Sequence, residues 1–169
     1  MQVLEQPMIE RVKPQVVPMI RKPKIRALSP SQIVNKQRVI YPFDGRMKDS
    51  FGSPEKIAKW FITGPSYSGK SSLIFTICNE LCAFGKVDYN NFEEGDSETV
   101  KEKIIRHGLV NREGTFKLLP RVPVDEFKQR LLKRKSASFG VVDSVQHAEL
   151  NKHAYIELTD TLCCQKRGK

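Results

Sequence analysis

The stretch Gly64-Pro-Ser-Tyr-Ser-Gly69-Lys70-Ser71 narrows what this chain can fold into more than any other part of it. It fits the spacing G-x-x-x-x-G-K-[ST]. Ile57-Ala-Lys-Trp-Phe-Ile62 precedes it and reads as a buried strand, with Trp60 in the core. Ser71 to Phe84 follows and reads as an apolar-faced helix closed by Gly85. A strand, a glycine-bounded turn and a helix, in that order, form the opening unit of an α/β layer.

The residue types fit one kind of chemistry. Glycine lets the backbone curl until successive N–H groups face inward, where they can hold phosphate oxygens. The amino terminus of the next helix adds its positive dipole end. In that arrangement Gly64, Pro65, Ser66, Tyr67, Ser68 and Gly69 wrap the phosphates, and Lys70 reaches the outer two. The Ser71 hydroxyl takes Mg²⁺, and Ser72 bonds phosphate or caps the helix. The plain alternative is a glycine-rich turn with a surface lysine.

The rest of the chain continues the alternation. Ser29 or Ser31 can start a short helix through Asn35, and Tyr41 to Gly45 reads as a turn. Lys86-Val-Asp-Tyr89, Phe116-Lys-Leu-Leu119 and Ser138 to Val142 read as strands. Asp96 or Ser97 can cap a helix carrying Val100, Ile104, Ile105 and Leu109 on one face. Asp125 opens another with Phe127, Leu131 and Leu132 as its stripe, and Tyr155, Leu158 and Leu162 mark a last helix near 152–165. Strands alternating with helices predict an α/β fold with a mostly parallel sheet.

Charge divides the chain. Residues 1–50 hold 10 Lys/Arg against 4 Asp/Glu, and six of the 10 prolines. Proline bars a long helix or central strand over 1–30, so this region reads as an extended basic arm and lead-in before a domain over 51–169. A basic arm attracts polyanions such as DNA, or serves as a plain solvated tail. At 39% hydrophobic the chain suits neither disorder nor a membrane protein, and no secretory signal is visible. Four cysteines in 169 residues are too few for a disulfide scaffold, which predicts a cytoplasmic chain with free thiols. Cys163 and Cys164 near His147 and His153 lack the C-x2-C spacing of a zinc site. Lys128, Arg130, Lys133, Arg134 and Lys135 form a basic run on one helix, able to touch DNA or simply to be solvated.

Two acidic elements complete the reading. Asp143 ends an apolar strand, where a carboxylate can hold Mg²⁺ through water or cap the next helix. Glu93 and Glu94 follow another strand end, where ligands sit in open α/β sheets. A carboxylate there can polarise an attacking water or be an ordinary solvated loop residue.

GPSYSGKSS at 64–72, VDYNNFEEGDSETVKEKIIRHGL at 87–109 and FGVVDSVQHAEL at 139–150 together resemble the RecA-type P-loop ATPases, nearest the RadA/Sms-like and DnaB-like branches. YPFDGRMKDSFG also looks like the lead-in of small AAA-type ATPases of prophages and mobile elements. The resemblance implies a three-layer P-loop NTPase core that binds ATP and Mg²⁺ and couples hydrolysis to DNA recombination, repair or replication. Lys70 and Ser71 would serve nucleotide and Mg²⁺, Asp143 would serve Mg²⁺, and Glu93, or else Glu94, would be the catalytic base. Such proteins act as rings or filaments, which implies a homo-oligomer. The family places a further core strand after the last helix seen here, so this core is expected to be incomplete. A nucleotide- or DNA-binding accessory protein that has lost hydrolysis is the alternative, and a small-molecule phosphotransferase a weaker one.

Overall fold

A computed structural model describes residues 27–166, with side chains described as far as Cys163. Residues 1–26 of the predicted arm and the Cys164 side chain lie outside the described residues. The chain divides into two units, Met1–Gln37 and Arg38–Lys169.

In the first unit, α1 spans Pro30–Val34. Ser29 caps it by accepting from the Gln32 amide, and the Gln32 side chain accepts from the Ser29 amide in return. This reciprocal pair, with proline at the first helical position, sets where the helix starts.

The second unit is α/β. Its sheet has three parallel strands, β1 (Val87–Asn91), β2 (Phe116–Pro120) and β3 (Phe139–Asp143), in the order β2-β1-β3. In register, Val87 lies beside Phe116 and Phe139, and Tyr89 beside Leu118 and Val141. One face therefore carries these residues and buries them under α3 (Lys70–Leu81) and α4 (Glu98–Arg106), through Phe75, Cys78, Cys82 and Val100. The alternate face carries Leu119 and Val142, covered by Phe127 and Leu131 of α5 (Val124–Leu132) and Leu162 of α6 (Lys152–Lys166). Gly140 is required here: a Cβ on it would lie 2.5 Å from Leu131 Cδ1. Burying each large apolar side chain contributes roughly 1.5–3 kcal/mol, so the two faces supply most of the stabilisation.

Four features depart from the sequence reading. First, Ile57–Ile62 forms no strand. Its apolar groups do not bury together: Ile62 packs among Phe43, Met47 and Ile77, while Phe61 meets Tyr155 yet stays exposed. Trp60 stacks on Phe51 at 5.0 Å and remains 37% exposed, so it is not a core residue. Apolarity alone does not make a strand; a neighbouring ladder must also take its backbone groups. Second, the expected turn at Tyr41–Gly45 leads into an additional helix, α2 (Gly45–Phe51), whose cap Asp44 accepts from the Gly45 amide. Phe43 and Met47 bury against Ile77 of α3, so residues 41–51 pack within the second unit. Third, α3 ends at Leu81, and Gly85 serves close packing: a Cβ there would lie 2.6 Å from Ser138 Oγ. Fourth, Ile105 is exposed, while Val100 and Leu109 are buried as expected.

Candidate functional site

α3 fixes where the glycine-bounded loop sits. Phe75, in its second turn, packs on Tyr89 of β1 with ring centroids 4.8 Å apart. Cys82, just past its carboxyl end, faces Thr115, the residue before β2. The helix thus runs antiparallel to the strands, and its amino terminus opens at their carboxyl ends. Ligands of open parallel sheets bind at that end.

The loop itself is curled. Gly69 and Tyr67 both take left-handed backbone angles, φ +82 and +62. Ser68 folds back over Gly64, where a Cβ would meet Ser68 Oγ at 3.1 Å. The Lys70 ammonium closes the curl by donating to the carbonyls of Gly64 at 3.0 Å and Pro65 at 2.6 Å. Leu73 is the first residue of the helix whose amide finds a backbone acceptor, Gly69 O at 2.9 Å. The amides of Gly69, Lys70, Ser71 and Ser72 have no protein acceptor among the described residues. Four N–H donors at a helix amino terminus and one cation suit an anion with several oxygens.

Asp143 ends β3 at the same end of the sheet. Tyr89 donates its phenol to Asp143 Oδ2 at 2.5 Å. Burial, and then the Asp143 charge, push the Tyr89 hydroxyl far above the ordinary phenol range, so it stays a neutral donor. Only one carboxylate oxygen, Oδ1, is left to other partners. The Asp143 carbonyl accepts from the amides of Phe92 and Glu93, which ties the Glu93–Glu94 loop to β3.

That loop is built by two buried asparagines at the end of β1. Asn90 exchanges two hydrogen bonds with Val122, at 2.7 and 3.0 Å. Asn91 donates to the Gly95 carbonyl and accepts from the Glu94 amide. The turn sends the two glutamates different ways. Glu94 pairs with Lys103 at 2.6 Å in a half-buried position, and its other oxygen is buried without a partner. Glu93 is exposed, and its carboxylate has no partner among the described residues. Arg121, which the sequence reading did not single out, follows β2 and donates to the Glu93 carbonyl at 3.3 Å. The only local signal for it was a basic residue directly after a strand-ending proline.

The structure therefore brings Asp143, Tyr89 and the Glu93 loop into one bonded cluster. The phosphate-type loop is linked to it through Phe75 on Tyr89, without a direct hydrogen bond among the described residues. No protein-family model, curated protein or solved structure matches the chain.

The donor set bears on Mg²⁺. Among the described residues, no three His, Cys, Asp or Glu side chains gather as a metal cage. Mg²⁺ does not need one, because it keeps several waters and uses one or two carboxylates plus substrate phosphates. The Ser71 hydroxyl, with no protein partner among the described residues, and Asp143 Oδ1 are hard oxygen donors of that kind.

Proposed function

We propose that this chain is a Mg²⁺-dependent ATP-binding protein of RecA type, whose ATP hydrolysis is coupled to DNA. The observation that carries the reading is the seat of Lys70. Its ammonium lies on two loop carbonyls, beside four amides at a helix amino terminus that have no acceptor among the described residues. A triphosphate bound there would accept those amides and draw the ammonium from the carbonyls to its outer oxygens. Ser71 and Asp143 would hold Mg²⁺, which supplies charge neutralisation on the phosphates. Tyr89 fixes the Asp143 carboxylate by occupying one of its oxygens. Glu93 is the base this reading favours, since its carboxylate has no partner among the described residues while Glu94 is committed to Lys103. Arg121 lies close enough to the Glu93 loop to neutralise developing charge.

One observation favours a second reading, a nucleotide- or DNA-binding accessory protein without efficient turnover. The residues before the loop join no ladder, so hydrogen bonds do not tie the loop to β3. ATP hydrolysis separates the two readings. Under the first, Glu93→Gln lowers turnover about 10²–10⁴-fold and leaves MgATP affinity intact. An unchanged rate removes Glu93 from the role. A chain that binds MgATP but shows no turnover above background supports the accessory reading.

A further inference from the structure

The opposite end of the sheet carries a second candidate site. A cleft of about 210 Å³ opens where all three strands begin, lined by residues next to the starts of β1, β2 and β3. Lys86 directly precedes β1, Lys117 lies in β2, and Lys133, Arg134 and Lys135 follow α5. None of these five has an acidic partner among the described residues. Their neighbours in the basic run are neutralised: Arg130 pairs with buried Asp88 at 2.6 Å, and Lys128 with Glu157 at 2.7 Å. The Asp88–Arg130 pair also tethers α5 to β1 at the cleft, so the three cations after α5 face those from the strands on a fixed frame. The run read as lying on one helix, able to touch DNA or to be solvated, is divided by the fold into a paired part within α5 and an uncompensated part after it.

We propose that this cleft binds the phosphate backbone of duplex DNA, without reading its sequence. Five unpaired cations from three chain segments exceed what a single phosphate needs, and they suit a line of phosphates. No aromatic side chain lines the cleft, so it lacks the stacking platform of a single-strand or nucleoside site. Among the described residues its only apolar side chain is Ala137, which gives a membrane surface nothing to take up. The site deepens the DNA half of the reading above and does not depend on the phosphate-type loop, which lies at the other end of the strands.

The test uses the full chain and a labelled mixed-sequence DNA duplex of about 20 bp, with affinity measured from about 50 to 200 mM KCl. Each lost phosphate contact reduces the slope of log affinity against log salt by about 0.9. The triple variant Lys133→Gln/Arg134→Gln/Lys135→Gln is expected to flatten the slope by nearly three. Lys86→Gln/Lys117→Gln should flatten it by nearly two. All five residues are exposed, so the fold should survive, and circular dichroism checks that it does. Lys48→Gln/Lys56→Gln/Lys101→Gln makes the same net charge change away from the cleft and should leave the slope unchanged. Equal flattening by both triple variants, or by neither, overturns the proposal. So does a cleft variant that loses binding to inorganic tripolyphosphate or phosphatidylserine vesicles while keeping duplex affinity. Lys70→Ala should keep the duplex slope whether or not it loses ATP, so failure of the nucleotide reading shows in a different assay.

Discussion

Replacing Tyr89 with Phe isolates the contact that orients Asp143. The ring is fully buried, 4.8 Å from Phe75 and 6.1 Å from Phe116 between centroids. Phenylalanine keeps that packing, so the change removes one hydrogen bond, the phenol to Asp143 Oδ2 at 2.5 Å. A hydrogen bond to a charged group contributes about 1.5–3 kcal/mol. Asp143 is half-buried and water can partly replace the phenol, which places the loss near the lower limit, about 1.5 kcal/mol. For a chain of this size that lowers the thermal midpoint by about 3–6 °C. The double-mutant cycle with Asp143→Asn should return a coupling of about 1 kcal/mol, because both single changes break the same bond. If Asp143 holds Mg²⁺ as proposed, the functional consequence is larger. Losing a group that orients a metal ligand typically weakens metal affinity 10–100-fold, so the Mg²⁺ dependence of nucleotide binding should shift by that factor. Thermal unfolding and a Mg²⁺ titration measure the two effects. Additive single variants together with an unchanged Mg²⁺ midpoint would refute the role given to Tyr89.

Two further outcomes follow from buried polar groups. Arg130→Met leaves Asp88, 3% exposed, without its cation. Breaking a buried pair costs about 3–5 kcal/mol, and since Arg130 is partly exposed the expected loss is about 2–3 kcal/mol. Urea unfolding should show it, with Arg130→Met/Asp88→Asn recovering part; a loss under 0.5 kcal/mol by that order-of-magnitude reckoning would contradict the pairing. His107 gives a pH dependence: burial, and then Arg106, hold its imidazole below the ordinary 6.5. Its Nδ1 meets Thr76 Oγ1, while Nε2 is buried with no acceptor for a second proton. The unfolded chain therefore binds that proton first, and stability falls as pH drops below about 6.5 toward the lower folded value. Unfolding free energies across pH 7 to 5 should decline less steeply in His107→Gln, and parallel curves would contradict the assignment.

How much of this was legible beforehand depended on sequence distance. Local chemistry showed: a serine, Ser29 or Ser31, marked the start of α1, and the apolar run 139–142 marked a strand ending at Asp143. The hexapeptide at 57–62 misled because its six residues name no partner strand; Trp60 and Phe61 instead make single ring contacts with α2 and α6 and stay exposed. α2 left a faint trace, with Asp44 as cap and Met47 and Phe51 one turn apart, but seven residues are too few for periodicity to stand out. The site's supports were invisible for a different reason. Tyr89 and Asp143 are 54 positions apart, Asp88 and Arg130 are 42, and no local pattern links them. Of the two asparagines that turn Glu93 outward, Asn91 acts over three or four residues, but Asn90 bonds Val122 across 32 positions, so the pair reads as a polar strand end.

The central claim is that the Gly64–Ser72 loop holds nucleotide phosphates, and calorimetric titration of MgATP into the full chain tests it most directly. Under the proposed reading Lys70→Ala removes a charge-assisted contact worth about 1.5–3 kcal/mol, which is about a 10- to 150-fold loss of affinity. The account predicts saturable binding of one MgATP per chain and a loss of at least tenfold in Lys70→Ala, with the fold intact by circular dichroism. MgATP affinity unchanged by the substitution, or no binding by the unaltered chain, would contradict it.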